Sequence, residues 1–267
     1  MKSNQYSSFV TRCWRLINLI CWLVHTLWRV RWFKNKPLTQ RNQELSAISD
    51  GFLRVLNVQV KLNNALPVNA SMPWLTVANH VSIIDMFVMM KYIPGGFIAT
   101  KNIRKWPVLG NLIANVGTVF INRNSRQDVA PVSQAIEKAL RQHKNVLFFP
   151  EAYTSSGMDV LPFKAALFQA AIDAHVPVEC VVLRYYDAHK RTDKVSFSGE
   201  ISLLKSIWQI ISIPQIVVEV DFSPLLNSEK TLQFDRYQLK DKAEEFIRAK
   251  VLSDSPLRDQ IQQSMNQ

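Results

Sequence analysis

Cysteine is scarce in this chain of 267 residues. The three cysteines, Cys13, Cys21 and Cys180, are odd in number and form no Cys-x-x-Cys pair, so the sequence predicts reducing surroundings and no zinc site. Acidic and histidine residues also lack the spacing of metal ligands, and we expect no metal. Internal repeats and low-complexity tracts are absent, and a hydrophobic content of 48% argues against global disorder.

Acidic residues are absent from the first 41 positions, which nevertheless contain eight Lys and Arg residues and four of the seven tryptophans. Cations and amphipathic aromatic rings are both favoured at the interface of an anionic membrane. Nucleic acid also attracts positive charge, but here the basic residues flank an apolar core, so we expect no nucleic-acid partner. The lipid bilayer is the predicted partner of this segment.

A long hydrophobic run is missing as well. The uncharged stretch covers residues 16–28 only, whereas a membrane-spanning helix needs about 20 residues. No small-residue cleavage site follows, which argues against a removed signal peptide. On a helix, one face would carry the apolar residues Leu16, Leu19, Ile20, Leu23, Leu27 and Val30. We predict that this face lies in the membrane interface, with a short span or a re-entrant hairpin as the alternative.

Strand-like and helix-like stretches alternate along the rest of the chain. The predicted strands are 74–78, 97–100, 118–121, 146–149, 178–183 and 216–222. The predicted helices are 83–91, 103–115, 129–143, 164–175 and 237–251, and residues 47–62 fit a helix that runs into a strand after a polar connector at 35–43. This order predicts an α/β fold with a mixed, largely parallel central sheet flanked by helices. We expect an N-terminal membrane segment over residues 1–45, one domain over 46–255 and a frayed tail over 256–267.

Charged residues follow four successive predicted strands. These residues are His80, Lys101, Arg123 and Glu151. In open α/β sheets, ligands bind beyond the carboxyl ends of the strands. The four strands would therefore bring a base, two cations and a carboxylate to one edge of the sheet. Any one of them could be a solvated loop charge, but four in register favour a catalytic site.

His80 and Asp85 lie five residues apart at a predicted strand-to-helix junction. A neutral imidazole can accept a proton near pH 7, and a carboxylate one helical turn later can fix its tautomer. The alternative is a capping box with Ser82 as N-cap and Asp85 at the third helical position, which would give His80 no role. No Gly-x-Ser-x-Gly motif surrounds Ser82, so we interpret this serine as a helix cap and not as a nucleophile.

Four ordered sequence blocks within residues 74–182 resemble the glycerolipid acyltransferase family, whose best-known members are lysophosphatidic acid acyltransferases. The first family block, Asn-His followed by four residues and Asp, is matched by Asn79, His80 and Asp85. The second, Gly-x-x-Phe-Ile-Asn-Arg, is matched from Gly117 to Arg123, after a family-like Lys101. The third begins with Phe-Pro-Glu at residues 149–151, and the fourth, an apolar run with prolines, is partly matched at 176–181.

The resemblance implies transfer of a fatty acyl chain from a thioester to a lysolipid hydroxyl. The co-substrate would be acyl-CoA or acyl carrier protein, with no other cofactor. His80 would act as general base, oriented by Asp85, without a covalent acyl-enzyme. The substrate site would include Lys101, Arg104, Gly117, Asn122, Arg123 and Glu151. The basic side chains would bind the acidic head group, although Arg104 also suits a solvated surface. Glu151 would bind an acceptor hydroxyl, position a cation or cap a helix.

The third and fourth blocks depart from the family pattern. Thr154 stands where the family has an arginine that helps to hold the acceptor's phosphate, and Cys180 stands where a second proline is common. Ala152 replaces a usual glycine, so a backbone with positive φ would be strained there. The leading acceptor is 1-acylglycerol-3-phosphate, at the cytoplasmic face of the inner membrane. Lyso-ornithine lipid is the alternative acceptor, and a lipid hydrolase or a non-catalytic lipid-binding protein is the alternative of another class.

Overall fold

The computed structural model describes residues 6–66, 73–104, 114, 118–122, 126–187, 189–199, 201–226 and 234–258. Within them lie eight strands: β1 Val58–Leu62, β2 Leu75–Ala78, β3 Gly96–Thr100, β4 Val119–Ile121, β5 Val146–Phe148, β6 Val178–Asp187, β7 Lys190–Arg191 and β8 Ile216–Phe222. The helices are α1 Phe9–Val30, α2 Leu38–Val55, α3 Ile84–Tyr92, α4 Lys101–Arg104, α5 Val129–Arg141, α6 Gln169–Ala174, α7 Leu203–Ser212 and α8 Arg236–Leu252.

All eight strands join one sheet, in the order β1-β8-β6-β2-β5-β3-β4, and β7 pairs with β6. Every neighbouring pair is parallel except β6 with β8 and β6 with β7. The central strand β2 is buried on both faces, which explains its continuous apolar sequence. The prediction of a mixed, largely parallel sheet flanked by helices is therefore confirmed.

Helices cover both faces of the sheet. One face packs against α2, α3, α7 and the inner side of α1. The other packs against α5, α6 and α8. In α5 the buried residues Val132, Ile136 and Leu140 recur every four positions, which is the spacing of one helical stripe. A capping box at Asp235 and Gln238 begins α8.

The apolar face of α1 predicted for the membrane interface packs instead onto the domain. Leu16, Leu19, Leu23 and Leu27 contact the core formed with α2, α3 and α7, and Val30 is buried in it. Burial against neighbouring helices removes this apolar surface from water without a bilayer. The predicted orientation of α1 was wrong for these five residues.

A buried arginine fixes α1 to the end of α7. The Arg15 guanidinium donates hydrogen bonds to the carbonyl oxygens of Ile211, Ile213 and Pro214, at 3.0, 2.6 and 2.7 Å. These carbonyls lie at the C-terminal end of α7, where the helix leaves its acceptors free. Arg15 therefore holds the N-terminal helix against the domain.

Most predicted elements occur near their predicted positions. Helix α7 and the short strand β7 were not predicted, α2 begins at Leu38, inside the predicted connector, and α6 covers only the second half of the predicted helix 164–175. Most of the predicted helix 103–115 lies outside the described residues. Helix α2 runs without interruption through residues 45 and 46, between which the sequence analysis placed a domain boundary. That boundary stays a prediction. Residues 259–267 of the predicted tail lie outside the described residues. Across the described ranges, no helix combines the length and apolarity needed to cross a membrane.

Candidate active site

The predicted residues follow strands whose carboxyl ends share one edge of the sheet. Strands β2, β5, β3 and β4 are neighbours and run parallel, so the segments after them emerge on the same side. His80 follows β2 and Glu151 follows β5. These two segments touch, because the His80 N–H donates to Glu151 Oε1 at 2.6 Å.

The side chains of His80 and Asp85 form a direct hydrogen bond. His80 Nδ1 lies 2.8 Å from Asp85 Oδ2. The Asp85 side chain is fully buried, whereas the His80 side chain keeps 16% of its surface exposed. Since the carboxylate accepts at Nδ1, the ring carries its proton there and Nε2 is the nitrogen that can accept another. This is the geometry of an oriented general base.

Backbone amides at the start of α3 stabilise the Asp85 carboxylate. Oδ2 also accepts from the N–H groups of Val81 and Ser82, at 2.6 and 2.8 Å. Hydrogen bonds to a carboxylate favour its charged form, which offsets part of the cost of burial. Asp85 therefore orients His80 and also binds the backbone amides that precede α3.

Ser82 does not act as the predicted helix cap. The N-cap of α3 is Ile83, and no side chain makes a cap hydrogen bond there. The Ser82 hydroxyl accepts only a long 3.4 Å bond from the Ile84 N–H. The Asp85 carboxylate supplies the cap instead, because it reaches back to the amides that precede α3. The prediction for Ser82 was wrong.

Phe149 and Ser155 hold His80 from the side of the third block. The rings of His80 and Phe149 stack at 3.9 Å between centroids with an interplanar angle of 7°. The Ser155 N–H donates to the His80 carbonyl at 2.7 Å. The imidazole is thus restrained at its ring plane, at its backbone and at Nδ1.

Asn79 joins the His80 loop to β6. Its side-chain amide donates to the Leu183 carbonyl at 2.9 Å and accepts from the Leu183 N–H at 2.8 Å. These two bonds continue the pairing of β2 with β6 beyond Ala78, the last paired residue of β2. Asn79 therefore fixes the position of His80 along the direction of β6.

Glu151 lies behind His80, buried at 2% exposure. Its second carboxylate oxygen, Oε2, accepts from the Leu161 N–H at 2.8 Å. Burial raises the pKa of Glu151 to about 7, and the nearby Asp85 charge adds to the rise, although the two amide donors act in the opposite direction. Oε1 thus joins the loop after β5 to the loop after β2, and Oε2 bonds within the loop after β5. Contact of Glu151 with an acceptor stays a prediction.

The predicted head-group residues lie at the ends of β3 and β4. Lys101 Nζ pairs with Asp128 Oδ2 at 2.5 Å, and Asp128 also accepts from the Asn122 N–H at 3.0 Å. The Arg104 guanidinium lies over the Phe120 ring at 5.3 Å. Gly117 and Arg123 lie outside the described residues. Asp128, which the sequence did not indicate, is the acidic partner of Lys101.

Both substitutions in the third block have structural consequences. Ala152 adopts φ 65°, the left-handed region that glycine occupies without strain. The expected strain at this position is therefore present. Thr154, at the usual arginine position, donates its hydroxyl to the Phe197 carbonyl at 2.8 Å. In this chain the position ties the loop after β5 to the segment after β7.

Tyr185 is a site neighbour that sequence reasoning missed. It lies on β6 and its hydroxyl donates a short hydrogen bond to Asp85 Oδ1. The two residues are 100 positions apart, so only the pairing of β6 beside β2 brings them together. In the sequence, only a tyrosine near the end of a strand could have indicated this contact, and any core tyrosine gives the same indication.

Comparison with known proteins identifies the family of this chain. The family model described as Acyltransferase matches residues 57–184. A 1-acyl-sn-glycerol-3-phosphate acyltransferase of Neisseria gonorrhoeae is 43% identical over 258 residues, which is 96% of this chain and 99% of the relative. A lyso-ornithine lipid O-acyltransferase of Pseudomonas aeruginosa is 30% identical over 176 residues, 66% of this chain and 67% of the relative.

The fold has a solved counterpart. The crystal structure of the 1-acyl-sn-glycerophosphate acyltransferase PlsC from Thermotoga maritima matches with a TM-score of 0.65 and 18% identity, covering 91% of this chain and 93% of that one. That match concerns architecture, whereas the 43% identity extends along nearly the whole sequence. The chain therefore belongs to the acyltransferase family that includes the 1-acyl-sn-glycerol-3-phosphate acyltransferases.

Proposed function

We propose that this enzyme transfers a fatty acyl group from acyl-CoA or acyl carrier protein to the free hydroxyl of 1-acylglycerol-3-phosphate, giving phosphatidic acid. The observation that carries the proposal is the hydrogen bond from His80 Nδ1 to the buried Asp85 carboxylate. The near full-length similarity to a relative with that named activity favours this acceptor.

His80 performs the proton transfers. As the acceptor hydroxyl attacks the thioester carbonyl, its proton moves to His80 Nε2 and the new C–O bond forms. Collapse of the tetrahedral intermediate breaks the C–S bond, and the imidazolium returns the proton to the departing thiolate. Asp85 stays ionised and stabilises the imidazolium. Base catalysis of this kind contributes roughly 10²–10⁴-fold.

The developing oxyanion needs donors other than the first amides of the loop. The N–H groups of Val81 and Ser82 already donate to Asp85. Donors that stabilise an oxyanion must be free to point at it. These two amides are therefore excluded as oxyanion donors by their bonds to the Asp85 carboxylate.

Lys101 and Arg104 would bind the acceptor phosphate, together with Arg123. The first two lie next to each other after β3, and both side chains are exposed. A phosphate group accepts charge-assisted hydrogen bonds from both cation types. The exposed Lys101 ammonium has three N–H donors, so it can bind phosphate beside Asp128.

Lyso-ornithine lipid is the second candidate acceptor, favoured by Thr154 in place of the phosphate-binding arginine and by the lyso-ornithine lipid relatives. The test uses purified protein, a radiolabelled acyl thioester and separate lysolipid acceptors. We expect diacyl product with 1-acylglycerol-3-phosphate. Product with lyso-ornithine lipid alone would select the second acceptor, free fatty acid alone would indicate a hydrolase, and no conversion would indicate a lipid-binding protein.

The same enzyme would work at a membrane surface through the outer stripe of α1. This stripe comprises the exposed apolar residues Trp14, Ile17, Ile20, Val24 and Trp28, each more than half exposed. They are three or four positions apart and therefore lie along one side of the helix. Of the residues predicted for the membrane face, only Ile20 belongs to this stripe, because the other five contact the domain.

The charge around the outer stripe suits an anionic bilayer. Residues 1–41 contain no acid, and the Arg31 guanidinium lies 5.9 Å from the ring of the exposed Trp32 at the end of α1. Tryptophan and arginine are both favoured at the head-group level. We propose that the enzyme lies on the cytoplasmic face of the inner membrane, where thioester donors are made.

Paired serine substitutions test this surface. Trp14→Ser with Trp28→Ser should weaken sedimentation with phosphatidylglycerol vesicles at least about tenfold, because two large apolar side chains lose their burial. Tyr237→Ser removes another exposed aromatic ring, from α8, and should leave binding unchanged. Unchanged binding of the double variant in high salt would exclude the outer stripe as the anchor. Protease protection in intact cells, lost on lysis, would support the cytoplasmic face.

A further inference from the structure

We infer that Tyr185 is a positioning residue of the active site, which holds Asp85 in the orientation that His80 needs. This inference rests on the proposed acyl transfer and assigns part of it to a strand outside the recognised His80 and Asp85 motif. Tyr185 itself is buried at 2% exposure, so its effect passes through the carboxylate and not through substrate.

The hydroxyl of Tyr185 occupies the carboxylate oxygen that His80 does not use. Asp85 Oδ1 accepts from Tyr185, while Oδ2 accepts from His80 Nδ1 and from two backbone amides. A carboxylate can turn about its Cβ–Cγ bond and exchange its two oxygens. A donor on each oxygen opposes that rotation, so Oδ2 stays directed at Nδ1.

Strand β6 places Tyr185 there because it continues past the end of β2. Val181 on β6 pairs with Ala78, the last residue of β2, and β6 extends to Asp187. The Asn79 amide then binds both backbone groups of Leu183, two residues before Tyr185. Residues two apart on a strand face the same side of the sheet. The bonds between Asn79 and Leu183 therefore fix the position of the Tyr185 phenol along β6, next to Asp85.

Tyr185 acts as a hydrogen-bond donor throughout the working pH range. Burial raises the pKa of Tyr185 well above its usual value of 10, and the Asp85 charge raises it further. The phenol therefore keeps its proton and donates it toward Oδ1. By sharing the negative charge of Asp85, it also limits how strongly the carboxylate attracts the imidazolium proton.

Tyr185→Phe removes only the hydroxyl and tests the inference. We expect kcat for acyl transfer to fall about tenfold, while KM for both substrates stays within about twofold, because the variant alters the base and not the binding groups. Tyr186→Phe is the matched control. Its hydroxyl donates to the Asp254 carboxylate at 2.5 Å, away from His80, so its loss should leave kcat unchanged.

The pH profile separates positioning from a general loss of fold. Without the phenol, Asp85 attracts the imidazolium more strongly, so the acidic limb of kcat/KM should move to higher pH. Of the described titratable side chains, Asp85 on α3, Glu151 after β5 and Tyr185 on β6 have contacts with His80 or Asp85. Asp85 and Glu151 are present in both enzymes, so the difference between the two profiles reports the removed hydroxyl.

A double-mutant cycle supplies the second test. In an Asp85→Asn background, Tyr185→Phe should change kcat less than about twofold, because the carboxylate it positions is gone. An equal loss in both backgrounds, or a wild-type kcat and pH profile for Tyr185→Phe, would overturn the inference. Absence of transfer by the unmodified enzyme would instead reject the proposed function.

Discussion

The buried carboxyl group of Glu179 should make the stability of this enzyme fall as pH rises. Glu179 lies on β6 opposite Thr76 and is fully buried. Within the part of the chain that the structure describes, neither carboxylate oxygen has a partner at hydrogen-bond distance, although the Trp74 side chain is near enough to oppose part of the rise in pKa. Burial raises the pKa of Glu179 from 4.5 to about 8. Between these values the folded chain keeps the proton that the unfolded chain releases, so raising the pH favours unfolding.

The size of the effect follows from the shift in pKa. A rise of about 3.5 pKa units corresponds to roughly 5 kcal/mol of unfolding free energy, lost progressively between pH 4.5 and 8. Glu179→Gln keeps the shape but does not ionise. We therefore expect the stability of the wild type to fall relative to the variant by several kcal/mol between pH 5 and 8, with the variant more stable at pH 9.

Urea unfolding followed by tryptophan fluorescence at half-unit pH steps measures this difference. Other titrating groups, including Glu151, contribute equally to both proteins and cancel. Glu245→Gln, which removes an exposed carboxylate from α8, is the control and should show no such trend. A constant difference between wild type and Glu179→Gln from pH 5 to 9 would refute the reasoning.

Two further substitutions test local features of the fold. Ala152→Gly relieves the strain of the positive φ and should raise Tm by about 2 °C, whereas Ala152→Val should lower Tm. A lower Tm for the glycine variant would contradict the presence of strain. Arg15→Met removes three hydrogen bonds to the end of α7 and should cost about 3 kcal/mol. Limited proteolysis should then cut α1 before the domain, and an unchanged digestion pattern would show that Arg15 does not hold the helix.

The sheet and the His80 loop could be predicted because their signals are local. The apolar run of β2, the histidine after it and the carboxylate at the start of α3 are adjacent in sequence. Parallel strands then bring Glu151 to the same edge without any further information. The strain at Ala152 also followed from a single residue type at a single position.

Features that depend on distant partners were not predictable. Apolar residues surround much of α1, so its inner side is decided by contacts with α2 and α7 and not by its own periodicity. Tyr185 meets Asp85 only through the pairing of two strands 100 residues apart. The displacement of the cap from Ser82 to Asp85 required the actual loop geometry.

Removal of the imidazole of His80 is the most direct test of the account. His80→Ala should lower kcat for acyl transfer from a thioester to 1-acylglycerol-3-phosphate at least about 100-fold. The variant should still fold cooperatively and bind vesicles like the wild type, because Asp85 keeps its bonds to two backbone amides and Tyr185. A variant that binds vesicles, folds normally and retains more than about a tenth of the activity would contradict His80 as the general base.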